Sequence, residues 1–231
     1  MDGGAQTAQT TSVRVPIGDR WLHGDLAMPK GAHAIVVFAH GSGSSRHSPR
    51  NQFVARRLAR LGLATLLIDL LTAEEEAVDI RTAEHRFDIH MLAGRLAGIV
   101  DWLQRRDDTR SLAIGMFGAS TGGGAALMAA AARPHEIAAV VSRGGRPDLA
   151  GPSLAKVATP TLLIVGGLDT SVIEMNRDAM RQMRVPASLE IVAGATHLFE
   201  EPGALEQVAE LAGEWFVRHL QPAVSTGSPI S

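Results

Sequence analysis

The serine in the segment Gly118–Gly122 is the first candidate for chemistry in this sequence. The segment reads Gly-Ala-Ser-Thr-Gly and lies between the apolar run Leu112–Phe117 and an alanine-rich stretch that begins at Thr121. A G-x-S-x-G pattern between a strand and a helix forms a sharp turn that exposes the serine hydroxyl at the edge of a sheet. The pattern predicts that Ser120 is a nucleophile. A serine in an ordinary turn is the structural alternative.

A serine hydroxyl needs a base to take its proton, and on this kind of scaffold the histidine follows the serine and the acid in the chain. Of the nine histidines, three come after Ser120. His135 precedes a predicted strand and His219 lies late in the last predicted helix. His197 follows a predicted strand, at the edge where Ser120 is expected, and is therefore the predicted base.

The predicted acid is Asp169, which stands at the tip of an apolar strand in the run Gly-Gly-Leu-Asp. A carboxylate there would orient the histidine and stabilise its charged form. Asp169 also precedes a predicted helix, so capping that helix is its structural alternative. Asp148 and Asp178 are weaker candidates for the acid.

Two backbone N–H groups are expected to bind the negative charge that develops on the substrate oxygen. Thr121 follows the nucleophile at a helix N-terminus, where unpaired donors favour negative charge. The second donor is expected from Ser42 in the loop His-Gly-Ser-Gly, with Gly43 beside it as a candidate substrate contact. A phosphate cradle is the alternative for this loop, but it lacks the third glycine of a dinucleotide site.

Arg143 follows another predicted strand and is a candidate for binding a substrate carboxylate through its forked guanidinium. An ion pair with a neighbouring acid is its structural alternative. We predict no metal site, because the acidic run Glu74–Glu76 with Asp79 lacks the spacing of a calcium loop and His85 and His90 lack helical pair spacing.

These residues require a particular scaffold. Short apolar runs alternate with segments of helical period, which is typical of parallel strands joined by helices on both faces. About eight strands are predicted, at 13–17, 21–28, 34–39, 63–68, 112–117, 137–142, 161–165 and 189–192. Helices are predicted at 49–60, 87–105, 121–132, 171–184 and 204–220. The first two strands form an antiparallel hairpin, because only three residues separate them.

One domain is expected over residues 13–220, between a flexible amino-terminal tail, 1–12, and a flexible carboxy-terminal tail, 221–231. Only about 18 residues separate the strands that end and begin near 142 and 161, so no large cap domain fits there. Residues 71–86 are the other place for a small cover, and their acidic side chains predict a mobile loop.

The amino-acid composition excludes further classes of function. The 231 residues contain 22 Lys+Arg and 24 Asp+Glu, and no cysteine. The near-neutral charge argues against nucleic acid, and the lack of cysteine excludes a thiolate nucleophile. The absence of a long apolar segment predicts a cytoplasmic protein without membrane contact. We expect a small ester or lactone as partner, leave a homodimer open, and expect no cofactor.

From Val13 to Leu220 the chain resembles the dienelactone hydrolase-related branch of the α/β-hydrolase superfamily. The resemblance rests on His40–Gly43, Gly118–Gly122, Asp169 and His197. It implies an α/β-hydrolase fold. In dienelactone hydrolase itself the nucleophile is cysteine, and the serine here favours a carboxylesterase-like activity.

The expected function is therefore hydrolysis of carboxylic esters through an acyl-enzyme on Ser120. Lactone, thioester or peptide hydrolysis by the same three residues is one alternative. A binding module without catalysis on a hydrolase fold is the other.

Overall fold

The computed structural model describes residues 9–185 and 187–221. Within them the strands are β1 Gln9–Ile17, β2 Arg20–Met28, β3 Ala34–Ala39, β4 Ala64–Ile68, β5 Ala113–Ala119, β6 Ile137–Arg143, β7 Thr161–Gly166 and β8 Ala187–Val192. The α-helices are α1 Pro49–Arg60, α2 Ala73–Thr82, α3 Ile89–Arg105, α4 Thr121–Ala132, α5 Thr170–Gln182 and α6 Ala204–His219, and 3₁₀ turns cover Pro147–Lys156. β1 begins four residues before the predicted domain boundary. Of the predicted tails 1–12 and 221–231, residues 1–8 and 222–231 lie outside the described residues.

The strands form one sheet in the order β1-β2-β4-β3-β5-β6-β7-β8. β1 and β2 pair as an antiparallel hairpin, and β2 pairs antiparallel with β4. All pairings from β4-β3 to β7-β8 are parallel. The predicted α/β-hydrolase fold, with a mostly parallel sheet and an N-terminal hairpin, is confirmed.

Both faces of the sheet are covered, as the apolar strand β3 shows. Side chains alternate along a strand, so Ile35 and Val37 pack into the core formed with α3 and α4. Val36 and Phe38 pack into the core formed with α1 and α6. Between β6 and β7 the chain forms only the 3₁₀ turns, which confirms that no large cap is inserted there. None of the described helices is long and apolar enough to cross a membrane.

The prediction of a loop over 71–86 was wrong, because α2 occupies most of it. Thr72 caps the helix: its Oγ1 accepts the Glu75 N–H at 3.3 Å, and Glu75 Oε2 accepts the Thr72 N–H at 2.9 Å. This reciprocal pair is a capping box, and the sequence Thr-Ala-Glu-Glu contains its signature. The acidic residues of the helix's first turn also suit its positive end.

Two of the four acidic side chains of α2, those of Glu75 and Asp79, are buried rather than solvated. Glu75 is buried and accepts hydrogen bonds from Arg95 at 2.5 and 2.6 Å, with Arg20 as a further partner. Asp79 is buried and accepts the Nε–H of Arg86 at 2.6 Å. These ion pairs fasten α2 and the segment after it to α3, so the segment is a fixed part of the fold.

Candidate active site

Ser120 lies at the turn between β5 and α4 with a backbone φ of 50° and ψ of −121°. Few residues other than glycine adopt a positive φ. Such a strained backbone conformation persists only where the surrounding structure holds it in place. Here the Ser120 N–H donates to the Arg143 carbonyl at 3.2 Å, and its own carbonyl accepts from Gly123 and Arg146 at 2.9 and 3.1 Å. The fold thus fixes the turn that presents the hydroxyl.

The glycines around Ser120 allow β5 and α4 to approach closely. A Cβ on Gly118 would lie 2.5 Å from the Gly122 carbonyl oxygen and 2.5 Å from Gly123 Cα. Any larger residue at Gly118 would push the helix away from the strand. The glycine spacing that marks this motif in the sequence therefore has a steric cause.

Asp169 and His197 meet at the same edge of the sheet. His197 Nδ1 lies 2.6 Å from Asp169 Oδ2, so the ring donates from Nδ1 and leaves Nε2 free to accept a proton. Asp169 occupies the cap position of α5 but makes no capping hydrogen bond with its side chain. Its carboxylate is directed to the histidine and not to the helix. Ser120 and His197 line one cavity of about 270 Å³, which we call the catalytic cavity.

The sequence reading missed Gly144, which lies against His197. Gly144 has a φ of +51°, and a Cβ there would lie 3.4 Å from His197 Cε1 and 3.2 Å from its carbonyl oxygen. A side chain at this position would press on the imidazole. The Gly-Gly pair directly after a strand was the available signal.

The residues that were weaker candidates for the acid and the base lie away from Ser120 or make other contacts. Asp148 and Asp178 each form an ion pair with an arginine of their own segment. His135 is exposed ahead of β6, at the opposite edge of the sheet. The ring of His219 packs on Trp215 with centroids 4.3 Å apart.

The loop after β3 is held by His40, a second feature that the sequence did not reveal. His40 Nε2 accepts the Leu70 N–H at 2.9 Å, so its proton is on Nδ1, which donates to the Gly41 carbonyl at 2.9 Å. Ser44 N–H donates to the same carbonyl at 3.2 Å. Since the peptide is planar and trans, this fixes the Ser42 N–H on the opposite side. Burial lowers the pKa of His40, which keeps the ring neutral for both roles.

Ser42 lines the catalytic cavity and also a second cavity of about 200 Å³ on the other side of the loop. Thr121, the first residue of α4, lines the second cavity. Of the residues that carry the two predicted oxyanion donors, Ser42 thus lines both cavities, whereas Thr121 lines only the second. Gly43, a predicted substrate contact, lines the second cavity and not the catalytic one.

Arg143 is the last residue of β6 and lines the catalytic cavity beside Ser120 and His197. Its side chain is buried, and its Nε and Nη1 atoms have no hydrogen-bond partner. Within residues 9–185 and 187–221 no carboxylate pairs with it, so the ion pair considered from the sequence is not formed there.

The model of the dienelactone hydrolase family matches residues 22–221. The chain belongs to this family. Family and fold together indicate a hydrolase, and they confirm the resemblance that the motifs carry. The structure of dienelactone hydrolase from Anabaena variabilis is 59% identical and superposes with a TM-score of 0.92, covering 94% of this chain and all of that one.

Other relatives differ in identity or in length. Est1E from Butyrivibrio proteoclasticus is 18% identical with a TM-score of 0.75, over 90% of this chain and 98% of its own, and shares the fold. Curated relatives from two strains of Mycobacterium tuberculosis, named provisionally as phosphoribosyl transferases, are 56% identical over 208 residues. The match covers 90% of this chain and 46% of theirs, so the chain spans about half their length.

Proposed function

We propose that this protein is a serine hydrolase that cleaves carboxylic esters through an acyl-enzyme on Ser120. One observation carries the proposal: the 2.6 Å bond between Asp169 and His197 orients the imidazole in the cavity that Ser120 lines. An oriented histidine that lines the same cavity as a half-buried serine on a strained turn is the arrangement that activates a serine nucleophile.

In this mechanism Ser120 Oγ attacks the ester carbonyl carbon while His197 Nε2 takes the hydroxyl proton. The carbonyl oxygen becomes an oxyanion, which the N–H groups of Thr121 and Ser42 bind. The intermediate then expels the alcohol, which receives the proton from His197. Water attacks the acyl-enzyme in the same way, with His197 as base, and releases the acid and free Ser120. Asp169 stabilises the imidazolium in both halves.

The size of the catalytic cavity favours short substrates. About 270 Å³ is below the usual range for drug-sized ligands, and no cap domain extends the cavity between β6 and β7. We expect turnover of 4-nitrophenyl esters to be highest at two to four acyl carbons. A maximum at long acyl chains would contradict this expectation.

Lactone hydrolysis is the second candidate, because the chain is in the dienelactone hydrolase family and is 59% identical to the Anabaena variabilis protein. The same three residues would open a lactone, with the leaving alcohol still attached to the acyl group. Phosphoribosyl transfer is not proposed, because that name belongs to proteins of twice this length.

The test compares the wild type with Ser120→Ala and, as a matched control, Ser111→Ala at an exposed serine at the other end of β5. Turnover of 4-nitrophenyl acetate and butyrate is measured, and labelling by a fluorophosphonate is located by mass spectrometry. Ser120→Ala should lower kcat by at least about 10⁴-fold and abolish the label, since it removes the nucleophile. Ser111→Ala should match the wild type. A wild type that neither turns over nor labels would favour the binding-module alternative.

A further inference from the structure

The turn that follows β6 contacts both the candidate nucleophile and the candidate base, and we call it the β6 turn. Its ends bond to the backbone of Ser120: the Arg143 carbonyl accepts the Ser120 N–H at 3.2 Å, and the Arg146 N–H donates to the Ser120 carbonyl at 3.1 Å. Between these ends Gly144 lies against His197, since a Cβ on Gly144 would be 3.4 Å from His197 Cε1 and 3.5 Å from Nδ1. The position of the β6 turn therefore affects where the imidazole lies relative to the serine.

Two hydrogen bonds hold the middle of the β6 turn. The Gly144 N–H donates to the Ile164 carbonyl of β7 at 2.7 Å. The Gly145 carbonyl accepts Nδ2–H of Asn176, a side chain of α5, at 3.1 Å. Gly145 is buried, and no backbone N–H of the described residues donates to its carbonyl, so Asn176 is what pairs it. One of the two bonds is thus made by a side chain and can be removed by substitution.

Asn176 is a costly residue for its position in α5. It is fully buried, on the face that it shares with Val172, Ile173 and Ala179. Its Nδ2 also donates to the Val172 carbonyl at 2.8 Å, but its Oδ1 has no hydrogen-bond partner among the described residues. A buried polar atom without a partner lowers stability, and asparagine is a weaker helix former than leucine or methionine. What asparagine adds here is the donor to the Gly145 carbonyl.

The same helix carries the candidate acid. Asp169 is the cap residue of α5, and Asn176 lies about two helical turns after it, on the same face. The helix thus directs the Asp169 carboxylate to His197 at 2.6 Å and the Asn176 amide to the β6 turn. Because the β6 turn bonds to Ser120, α5 is connected to the acid, the base and the nucleophile.

We infer that Asn176 is a positioning residue, which through the β6 turn fixes the distance and angle between His197 and Ser120. The inference rests on the proposed function, because the reaction that it assists is the one proposed for Ser120. A displacement of reacting groups by about 1 Å can cost about a hundredfold in rate, so loss of the bond to Gly145 should lower kcat. Asn176 lines neither of the two cavities, so KM should change little.

The test replaces Asn176 in two ways. Asn176→Leu keeps a side chain of similar size but has no donor. Asn176→Ser keeps one hydroxyl, which in a helix donates to the carbonyl four residues earlier, so it retains the bond to Val172 and loses the bond to Gly145. Turnover of 4-nitrophenyl butyrate is expressed per serine labelled by fluorophosphonate at completion, so that unfolded protein is not counted. Both variants should lower kcat by about tenfold to a hundredfold, with KM within about twofold of the wild type.

Thr159→Val is the matched control. Thr159 is buried, and its Oγ1 donates to the Ile137 carbonyl at 3.1 Å, at the other end of β6. The variant also removes a buried hydrogen bond from a side chain to a backbone carbonyl, but away from Ser120. It should lower stability and keep the wild-type kcat per labelled serine. A wild-type kcat in either folded Asn176 variant, or an equal loss of kcat in Thr159→Val, would overturn the inference.

Nuclear magnetic resonance separates the positioning of the imidazole from catalysis. The His197 Cε1–H resonance is assigned by its absence in His197→Gln. It should shift in both Asn176 variants, because Gly144 lies against that atom, and should not shift in Thr159→Val. If the wild type hydrolyses no ester but the shift is found, the proposed function fails and the positioning of the imidazole stands. An unchanged resonance in the Asn176 variants would overturn the inference while leaving the proposed function intact.

Discussion

The two cavities on either side of the Gly41–Ser45 loop differ in how their buried charges are neutralised. At the second cavity, Asp79 is paired with Arg86 at 2.6 Å, and α2 is further fixed by Glu75 and Arg95. At the catalytic cavity, Arg143 is also buried, and among the described residues its Nε and Nη1 atoms have no hydrogen-bond partner. The paired charges hold a segment of the fold in place, whereas no such pair fixes Arg143 within the described residues.

This difference gives each charged residue a characteristic response to substitution. Removing one member of a buried pair leaves the other uncompensated and destabilises the fold. Removing a charge that was already uncompensated relieves a cost of the folded state. Stability should therefore respond in opposite directions to the loss of a paired charge at the second cavity and to the loss of Arg143.

The largest expected effect is on activity, in Asp169→Asn. The amide cannot hold the tautomer in which Nδ1 of His197 donates, so kcat should fall by about 10⁴-fold with little loss of stability. Ester turnover and urea unfolding are measured on the same sample. Asp178→Asn, at an exposed carboxylate of α5, is the control. A loss in kcat below tenfold would show that the Asp169–His197 bond does not serve catalysis.

The sequence indicated the three candidate catalytic residues more fully than their surroundings, for a physical reason. Ser120, Asp169 and His197 each follow an apolar run, and the carboxyl ends of parallel strands meet at one edge of a sheet. Their convergence thus follows from the strand pattern and chain order. The predicted strand and helix boundaries agree with the structure to within a few residues, apart from β1, and α2 was not predicted.

What could not be predicted depends on tertiary pairing. The acidic run Glu74–Glu76 in α2 has the pattern of a solvated face, and the burial of Glu75 within it depends on Arg95 of another helix. Arg143 was a candidate from its position after a strand, but its lack of a partner emerges only when all neighbours are placed. The tautomer of His40 depends on Leu70, thirty residues away. The capping box at Thr72 was visible in the sequence and was overlooked.

The next largest effect is on stability, in Glu75→Gln. Burial alone would raise the pKa of Glu75, but the hydrogen bonds and charge of Arg95, with the Thr72 N–H and Arg20, hold it below its usual value. The pair is therefore charged at neutral pH, and breaking it should lower the unfolding free energy by about 3–5 kcal/mol. Urea unfolding measures the loss. The exposed neighbour in Glu74→Gln should change it little, and an equal loss there would contradict the role of the pair.

A smaller effect of opposite sign is expected in Arg143→Met. The methionine fills similar apolar space without an unpaired charge, so the unfolding free energy should rise by about 1–2 kcal/mol. A destabilisation as large as that in Glu75→Gln would mean that Arg143 has a structural partner, and the contrast between the two cavities would fail.

The smallest effect is a pH dependence at His40, where both ring nitrogens are already bonded. Burial lowers the pKa of His40 in the folded state, whereas in the unfolded chain it is near 6.5. Below pH 6.5 the unfolded state therefore binds a proton that the folded state does not, so stability falls as the pH falls toward the lowered pKa. Above pH 6.5 the contribution is constant. The slope is at most about 1.4 kcal/mol per pH unit for one proton.

His40→Asn removes this titration while its side-chain amide can still donate to the Gly41 carbonyl. Urea unfolding at pH 7.5, 6.5 and 5.5 should thus show a flatter profile for the variant than for the wild type. His47→Asn, at an exposed histidine of the same loop, should keep the wild-type slope. Parallel profiles for wild type and His40→Asn would mean that the ring titrates alike in both states, and the neutral His40 could not be what fixes the Ser42 N–H.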